Sequence, residues 1–181
     1  MKSVAMPKTP GAESRPMHKP LRWLWLALAV IVLDLATKHL ASALLDYARP
    51  VPVLPFFNLT LLHNPGAAFS FLAGHDGWQR WFFATIAVGA SVGLTLWLRR
   101  LKAHETLLAA ALVLIIGGAL GNLYDRLVHG YVIDFLSFHW GHRYYFPAFN
   151  LADVAITLGA AGIILESLRD GWRQRRNKAG S

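Results

Sequence analysis

Four stretches of this chain are apolar for long enough to cross a lipid bilayer, and that constrains its fold more than anything else in it. The hydrocarbon core of a bilayer is about 30 Å thick and takes roughly 17–25 helical residues to span. Runs of that length lie near 22–44, 80–98, 105–123 and 150–168. The bulk agrees: 55% of the 181 residues are hydrophobic and only 15% are charged, against about 45–50% and 25% in soluble domains. The pattern predicts an all-α membrane protein with four transmembrane helices. The first run continues from Leu21 to about Leu45, too long for the apolar part of a cleavable leader. Residues 1–20 before it are polar, basic and broken by prolines, and read as a disordered tail.

The net charge of +8 would point to nucleic acid in a soluble chain. Here its placement gives topology instead. Lys2, Lys8, Arg15, Lys19 and Arg22 precede or open the first run. Arg99, Arg100 and Lys102 join the second to the third, and Arg169, Arg173, Arg175, Arg176 and Lys178 follow the fourth. The other two connections hold only Arg49, Arg80, Arg126 and Arg143, with aspartates alongside. Basic residues stay on the cytoplasmic side, so both termini and the middle link are expected inside, with no nucleic-acid partner. Residues 171–181 then form a basic cytoplasmic tail. Segments 45–79 and 124–149 are expected outside. The first mixes β-branched and aromatic residues with turn formers and reads as a small sheet, and the second is aromatic enough for the headgroup level. Glycines at 66 and 74 would permit a moving lid.

Small residues recur at helical spacing: Gly89 and Gly93, Gly117 and Gly121, then Ala155, Gly159 and Ala160. Such positions let helices approach closely, though glycine is also simply frequent in membrane helices.

Polar residues converge on one depth. At ~1.5 Å per residue, Asp153 lies roughly 24 Å above Arg169, Asn122 roughly 30 Å above Lys102, and Asp34 and Lys38 roughly 18 and 24 Å above Arg22. Three helices thus carry polar groups to the outer half of the membrane. An ionisable residue there costs at least ~2.5–3.5 kcal/mol at mid-bilayer and marks function by default. Asp34 and Lys38, four apart, also suit an ion pair that braces the bundle. Arg126 beside Asp125 reads as a structural pair at a helix end, and Asn122 as an interhelical hydrogen-bonding residue.

Asp134 and Asp153 have no basic neighbour in the sequence. Asp134 follows Gly130 in an extended apolar segment; Asp153 falls in the first turn after Asn150, a suitable N-cap. Two readings fit them. Brought together, one carboxyl would hold a proton while the other acts as base, able to activate water and protonate a leaving amine. Kept apart, they are a loop acid and a helix-cap acid. With no cysteine, thiolate chemistry and disulfides are excluded. Eight histidines show no metal-ligand spacing, His139 and His142 included, and no serine-hydrolase elbow or phosphate loop is present. A transporter or proton relay would instead spread its acids through the membrane depth, and a non-catalytic scaffold would tolerate their loss.

Four segments, DLATK (34–38), FNLTLLHNPGAAFS (57–70), GGALGNLYDRLVHGYVIDF (117–135) and FNLADV (149–154), together resemble the lipoprotein signal peptidases, aspartic proteases of the bacterial inner membrane. The likeness covers about 21–170, the expected peptidase domain, with departures at Pro65 and Tyr124 that remove no polar group. The resemblance implies four transmembrane helices with a small β-rich cradle and a short helix on the periplasmic side. It implies that Asp134 and Asp153 are the catalytic pair, and that Asp125 is structural and supports the site with Arg126. Asn64, Asn122 and Asn150 match polar positions around the site, and Asp34 and Lys38 the first-helix motif. It further implies a monomer in contact with membrane lipids that needs no metal or cofactor. The substrate implied is a prolipoprotein carrying a diacylglyceryl group on its cysteine, cut just before that residue near the periplasmic face.

Overall fold

The computed structural model describes residues 20–66, 77–141 and 144–179. The tail expected over 1–20 lies outside these residues except for Pro20, as do Gly74 of the expected lid and His142.

A 3-10 turn, Pro20–Trp23, leads into α1 (Leu24–Leu44). Strands β1 (Val51–Leu54) and β2 (Phe57–Asn64) precede α2 (Trp78–Leu98) and α3 (Thr106–Val128). Strands β3 (Val132–Trp140) and β4 (Tyr144–Tyr145) come before α4 (Leu151–Ala179). All four helices are long and apolar enough to cross a membrane. The short helix expected beside the cradle is not among the described residues.

Helix α3 is the central post. It packs against the other three helices and is buried along most of its length. The outer three turn Leu28, Val32, Ile86, Val92, Leu158 and Ile164 outward, as lipid-facing helices do. The inner part of the bundle is a dry core of Ala27, Leu98, Leu101, Ala109, Leu112, Val113 and Ile116. Close approach requires missing side chains. A Cβ at Gly159 would stand 2.6 Å from the Ala111 carbonyl oxygen, and one at Gly117 2.8 Å from that of Ala27. Gly89 and Gly93 meet nothing within 4 Å, so their spacing reflects only the frequency of glycine in such helices.

Two boundaries differ from the sequence expectation. Helix α3 runs on to Val128, which puts Asp125 and Arg126 on its last turns rather than beyond its end. Its stop is Gly130 at φ +85, whose N–H returns to the Arg126 carbonyl at 3.2 Å in the left-handed cap that favours glycine. Arg80 of α2 also donates to the Leu127 carbonyl at 2.7 Å. The basic segment expected as a tail from 171 continues α4 as helix to Ala179. No proline interrupts it, and Glu166–Arg169 and Asp170–Arg173 pair along the helix at 3.7 Å each.

The strands form one antiparallel sheet in the order β1-β2-β3-β4. In the β2–β3 pair Leu62 faces Asp134 and Asn64 faces Val132, with a register shift between Leu59 and Leu62. Leu61, Ile133 and Phe135 pack with Ala41 near the end of α1 and seat the sheet on the bundle. On its other side β3 meets the segment leading into α4 through an isolated bridge between Leu136 and Phe149. The Phe135 and Leu136 N–H groups donate to the Phe149 carbonyl at 3.1 and 2.9 Å, and Phe149 N–H donates back to Leu136 at 3.0 Å. That exchange brings β3 alongside the first turn of α4.

Candidate active site

Asn150 caps α4. Its Oδ1 accepts from the Asp153 N–H at 3.0 Å, while an Asp153 carboxylate oxygen accepts from the Asn150 N–H at 3.2 Å. This reciprocal pair is a capping box with aspartate in place of the usual glutamate. It fixes Asp153 where the helix N-terminus favours negative charge. The Asn150 Nδ2 points the other way, reaching Asp134 Oδ1 at 2.8 Å, Asn122 Oδ1 at 3.1 Å and the Ile133 carbonyl at 3.2 Å.

Asp134 enters from β3. Its second oxygen accepts from Asn64 Nδ2 at 3.0 Å, and Asn64 is itself oriented by the Gly66 N–H at 2.9 Å. The residue is 2% exposed. Burial first, and then the nearby charge of Asp153, push its carboxyl up to about 7 from 3.8; the Asn64 and Asn150 amides and Lys38 oppose that shift.

Asn122 of α3 joins the two acids. It donates from Nδ2 to Asp153 Oδ1 at 2.8 Å, and its Oδ1 takes hydrogen bonds from Asn150 and from Lys38 Nζ, the latter at 2.9 Å. A continuous chain therefore runs Asp134, Asn150, Asn122, Asp153. The sequence reading that leaves the two acids unrelated does not hold.

Behind that chain sits a second cluster. Lys38, 1% exposed, bonds Asp34 at 2.7 Å and Asp125 at 2.9 Å. The same Asp125 oxygen accepts the Ile133 N–H at 3.0 Å, tying the start of β3 to α3. The other Asp34 oxygen accepts the Ala152 N–H of α4 at 2.9 Å. Asp34 and Lys38 thus form the expected bracing pair. The expected Asp125–Arg126 pairing is replaced, because neighbours on a helix point apart. Asp125 turns inward to Lys38, and Arg126 donates to the Asn122 carbonyl at 3.0 Å with its guanidinium 5.2 Å from the Phe83 ring. Arg126 also interacts electrostatically with Asp153, Asp134 and Asp125.

All nine residues singled out in the sequence lie in or against this one cluster. What the sequence reading missed is backbone work: Asp34 holding the first turn of α4, Asp125 holding β3, and Arg80 closing α3. None has a local signature: the Asp34 and Arg80 partners are far away in the chain, and the Asp125–Ile133 contact spans the turn between α3 and β3. Beside Asp153 a groove of about 340 Å³ opens along α4, lined by Phe146, Phe149, Val154, Thr157 and Leu158. Among the described residues no group of three or more histidines and carboxylates could hold a metal ion.

A membrane-spanning bundle with two carboxylates bridged by amides at one end is an arrangement suited to an integral-membrane enzyme. The family model for signal peptidase (SPase) II matches residues 26–169. The lipoprotein signal peptidase of Ectopseudomonas mendocina is 53% identical over 158 residues, 87% of this chain and 92% of that one. Those of Pseudomonas aeruginosa and Yersinia pestis are 55% and 56% identical, covering 82% and 83% of this chain and 89% and 91% of theirs. A bacterial membrane enzyme solved by the in meso method at 1.9 Å superposes with a TM-score of 0.72 at 29% identity, over 82% of this chain and 94% of that one. The chain belongs to the signal peptidase II family and is a multi-pass membrane protease.

Proposed function

We infer that this protease removes the signal peptide from prolipoproteins and that Asp134 and Asp153 carry the reaction. The observation that supports the residue assignment is the chain of hydrogen bonds through Asn150 and Asn122, which holds two carboxyls from different elements in one site, Asp134 buried and Asp153 partly so. Each acid has amide partners and, among the described residues, no bonded cation.

In the proposed mechanism Asp153 is the base. It takes a proton from water as the water oxygen bonds to the scissile carbonyl carbon. Asp134, held near neutrality in its proton affinity by burial, supplies its proton to the leaving nitrogen as the C–N bond breaks. The products are a carboxyl-terminated signal peptide and a free amine on the lipoprotein. The resting proton then returns from Asp153 to Asp134.

The substrate reading is a diacylglyceryl-modified prolipoprotein cut just before its lipidated cysteine. The apolar groove beside Asp153 supports it, since acyl chains can stay in lipid while the bond to be cut reaches the acids. Basic-residue placement supports a bacterial inner-membrane topology with both termini cytoplasmic and the site and cradle near the periplasmic face. Exposed Trp140, Tyr144, Tyr145 and Phe146 suit a cradle resting at the headgroup level of that face. The peptidase unit is taken as 21–170, working as a monomer among lipids.

The test is cleavage of a diacylglyceryl-modified prolipoprotein by purified wild-type, Asp134→Asn, Asp153→Asn and Asp125→Asn proteins, all confirmed folded. Loss in the first two variants, with activity kept in Asp125→Asn and in the presence of EDTA, is the expected outcome. Full activity in either of the first two would mean that a different acid does the chemistry.

A further inference from the structure

The end of α4 opposite the active site carries a feature that peptide hydrolysis does not use. The apolar part of the helix ends at Leu168, and Arg169, Trp172, Arg173 and Arg176 follow at i, i+3, i+4 and i+7. At helical spacing these four residues share one face. They line a groove of about 570 Å³ with Asn177. Trp172 is 73% exposed, so nothing among the described residues covers this face.

The arginines are poorly neutralised by their own chain. Arg169 and Arg173 reach Glu166 and Asp170 only at 3.7 Å, each through one Nη atom, and stay largely exposed. Among the described residues Arg176 has no ion pair. Three guanidinium forks therefore offer most of their N–H donors outward, and the fork geometry suits the oxygens of a phosphate.

Position selects the phosphate's source. From Arg169 to Arg176 the helix rises roughly 10 Å. The headgroup layer on one side of a bilayer is roughly 5–8 Å deep. The stripe begins where the apolar run stops and so crosses that layer, with an indole at the depth where indoles anchor. We propose that this face of α4 is a binding site for anionic phospholipid headgroups, engaged by Arg169, Arg173 and Arg176 with Trp172 packed against the adjoining glycerol and upper acyl region. The site does not depend on which acids cut the substrate.

Trp172 is its own reporter. The full-length protein goes into phosphatidylcholine nanodiscs containing equal small fractions of brominated phosphatidylglycerol or brominated phosphatidylcholine. The Trp172 contribution to fluorescence is taken by difference from Trp172→Phe. Arginines near a surface attract anionic lipid strongly enough for roughly tenfold local enrichment, so the brominated anionic lipid should quench Trp172 several-fold more than the zwitterionic one. The combined change Arg169→Gln, Arg173→Gln, Arg176→Gln should abolish that preference while prolipoprotein cleavage continues, which also shows that the variant is folded. Lysines at the same three positions should retain part of it. Arg175→Gln, off the stripe, should leave it intact. Soluble glycerol phosphate should not displace the lipid.

Equal quenching by the two lipids in the wild-type protein would overturn the proposal, as would a preference that survives the triple glutamine change. If the lipids quench equally but a soluble polyglutamate shifts Trp172 emission, the stripe is a docking surface for an acidic protein and the lipid site is wrong.

Discussion

Four aspartates share one cluster, three of them buried and Asp153 partly so, yet they fall into two pairs with opposite surroundings. Asp34 and Asp125 are bonded to the Lys38 ammonium and to backbone N–H groups. Asp134 and Asp153 are bonded to amides, with no cation in contact among the described residues. Asn122 touches both sets. A carboxylate clamped by an ammonium gains most from staying ionised, so it holds helices together. The Asp134 carboxyl, facing neutral donors, is raised by burial to about 7, a proton affinity that chemistry can use. Partner type thus separates the acids proposed to be reactive from those that brace the bundle.

The comparison breaks first on activity. Under the proposed mechanism Asp134→Asn and Asp153→Asn each remove a proton-transfer group and should lower prolipoprotein cleavage by roughly 10²–10⁴-fold, read by mobility shift of the product, while the thermal unfolding midpoint in detergent is kept or raised. Equal losses in Asp125→Asn without a drop in stability would erase the distinction between the pairs.

On stability the order reverses. Lys38→Met leaves two buried carboxylates without their counter-charge and should cost about 3–5 kcal/mol. Adding Asp34→Asn and Asp125→Asn to that variant should return much of the loss, since a neutral cluster needs no cation. Denaturation in mixed micelles reads both. A triple variant no more stable than Lys38→Met alone would show that the ammonium does more than neutralise.

Next in size is a pH effect. The Asp134 carboxyl lies at about 7 in the folded protein against 3.8 for the free group. The folded state therefore holds this proton more tightly than the unfolded one. That contribution is fully present below about 3.8 and is lost as pH rises through about 7. Asp134→Asn keeps the neutral shape, so its stability advantage over wild type should grow across that window, by on the order of 2–4 kcal/mol at most. In the wild type kcat/KM should fall on the alkaline side of about pH 7 as the acid is lost. A pH-independent stability difference would remove the basis for treating Asp134 as the proton carrier.

The smallest contrast lies in the helices. Gly159→Val should destabilise by about 1–3 kcal/mol through overpacking against α3, whereas Gly93→Ala, which meets nothing, should stay within about 0.5 kcal/mol. The unfolding midpoints of the two variants measure this directly.

Much of this was legible in the sequence, for reasons that differ by feature. The spans followed from run length, because crossing a hydrocarbon layer is a demand on consecutive residues. Asn150 as a cap was legible because capping acts over three residues. The end of α3 was not, because Tyr124, Asp125 and Arg126 look like a departure from the membrane while the stop is set by Gly130 and by Arg80 from another helix. Asp134 and Asp153 were legible as candidates, and the convergence of depths marked their region. That they share a site came from the pairing of Leu136 with Phe149, a contact that no spacing encodes. The choice of Lys38 over Arg126 as partner of Asp125 was likewise hidden, since it depends on which way α3 is rotated.

The absence of a side chain at Gly121 has a consequence for how this protein should be screened. A Cβ there would stand 2.5 Å from the Asp34 oxygen that holds Lys38, and Asp34 cannot swing away without releasing the first turn of α4. Even alanine would disturb the register between three helices. A survey that replaces residues one at a time and records product would rank Gly121 with the acids, although it supplies no atom to the reaction. Its importance is that of a gap whose width sets the spacing of everything around it.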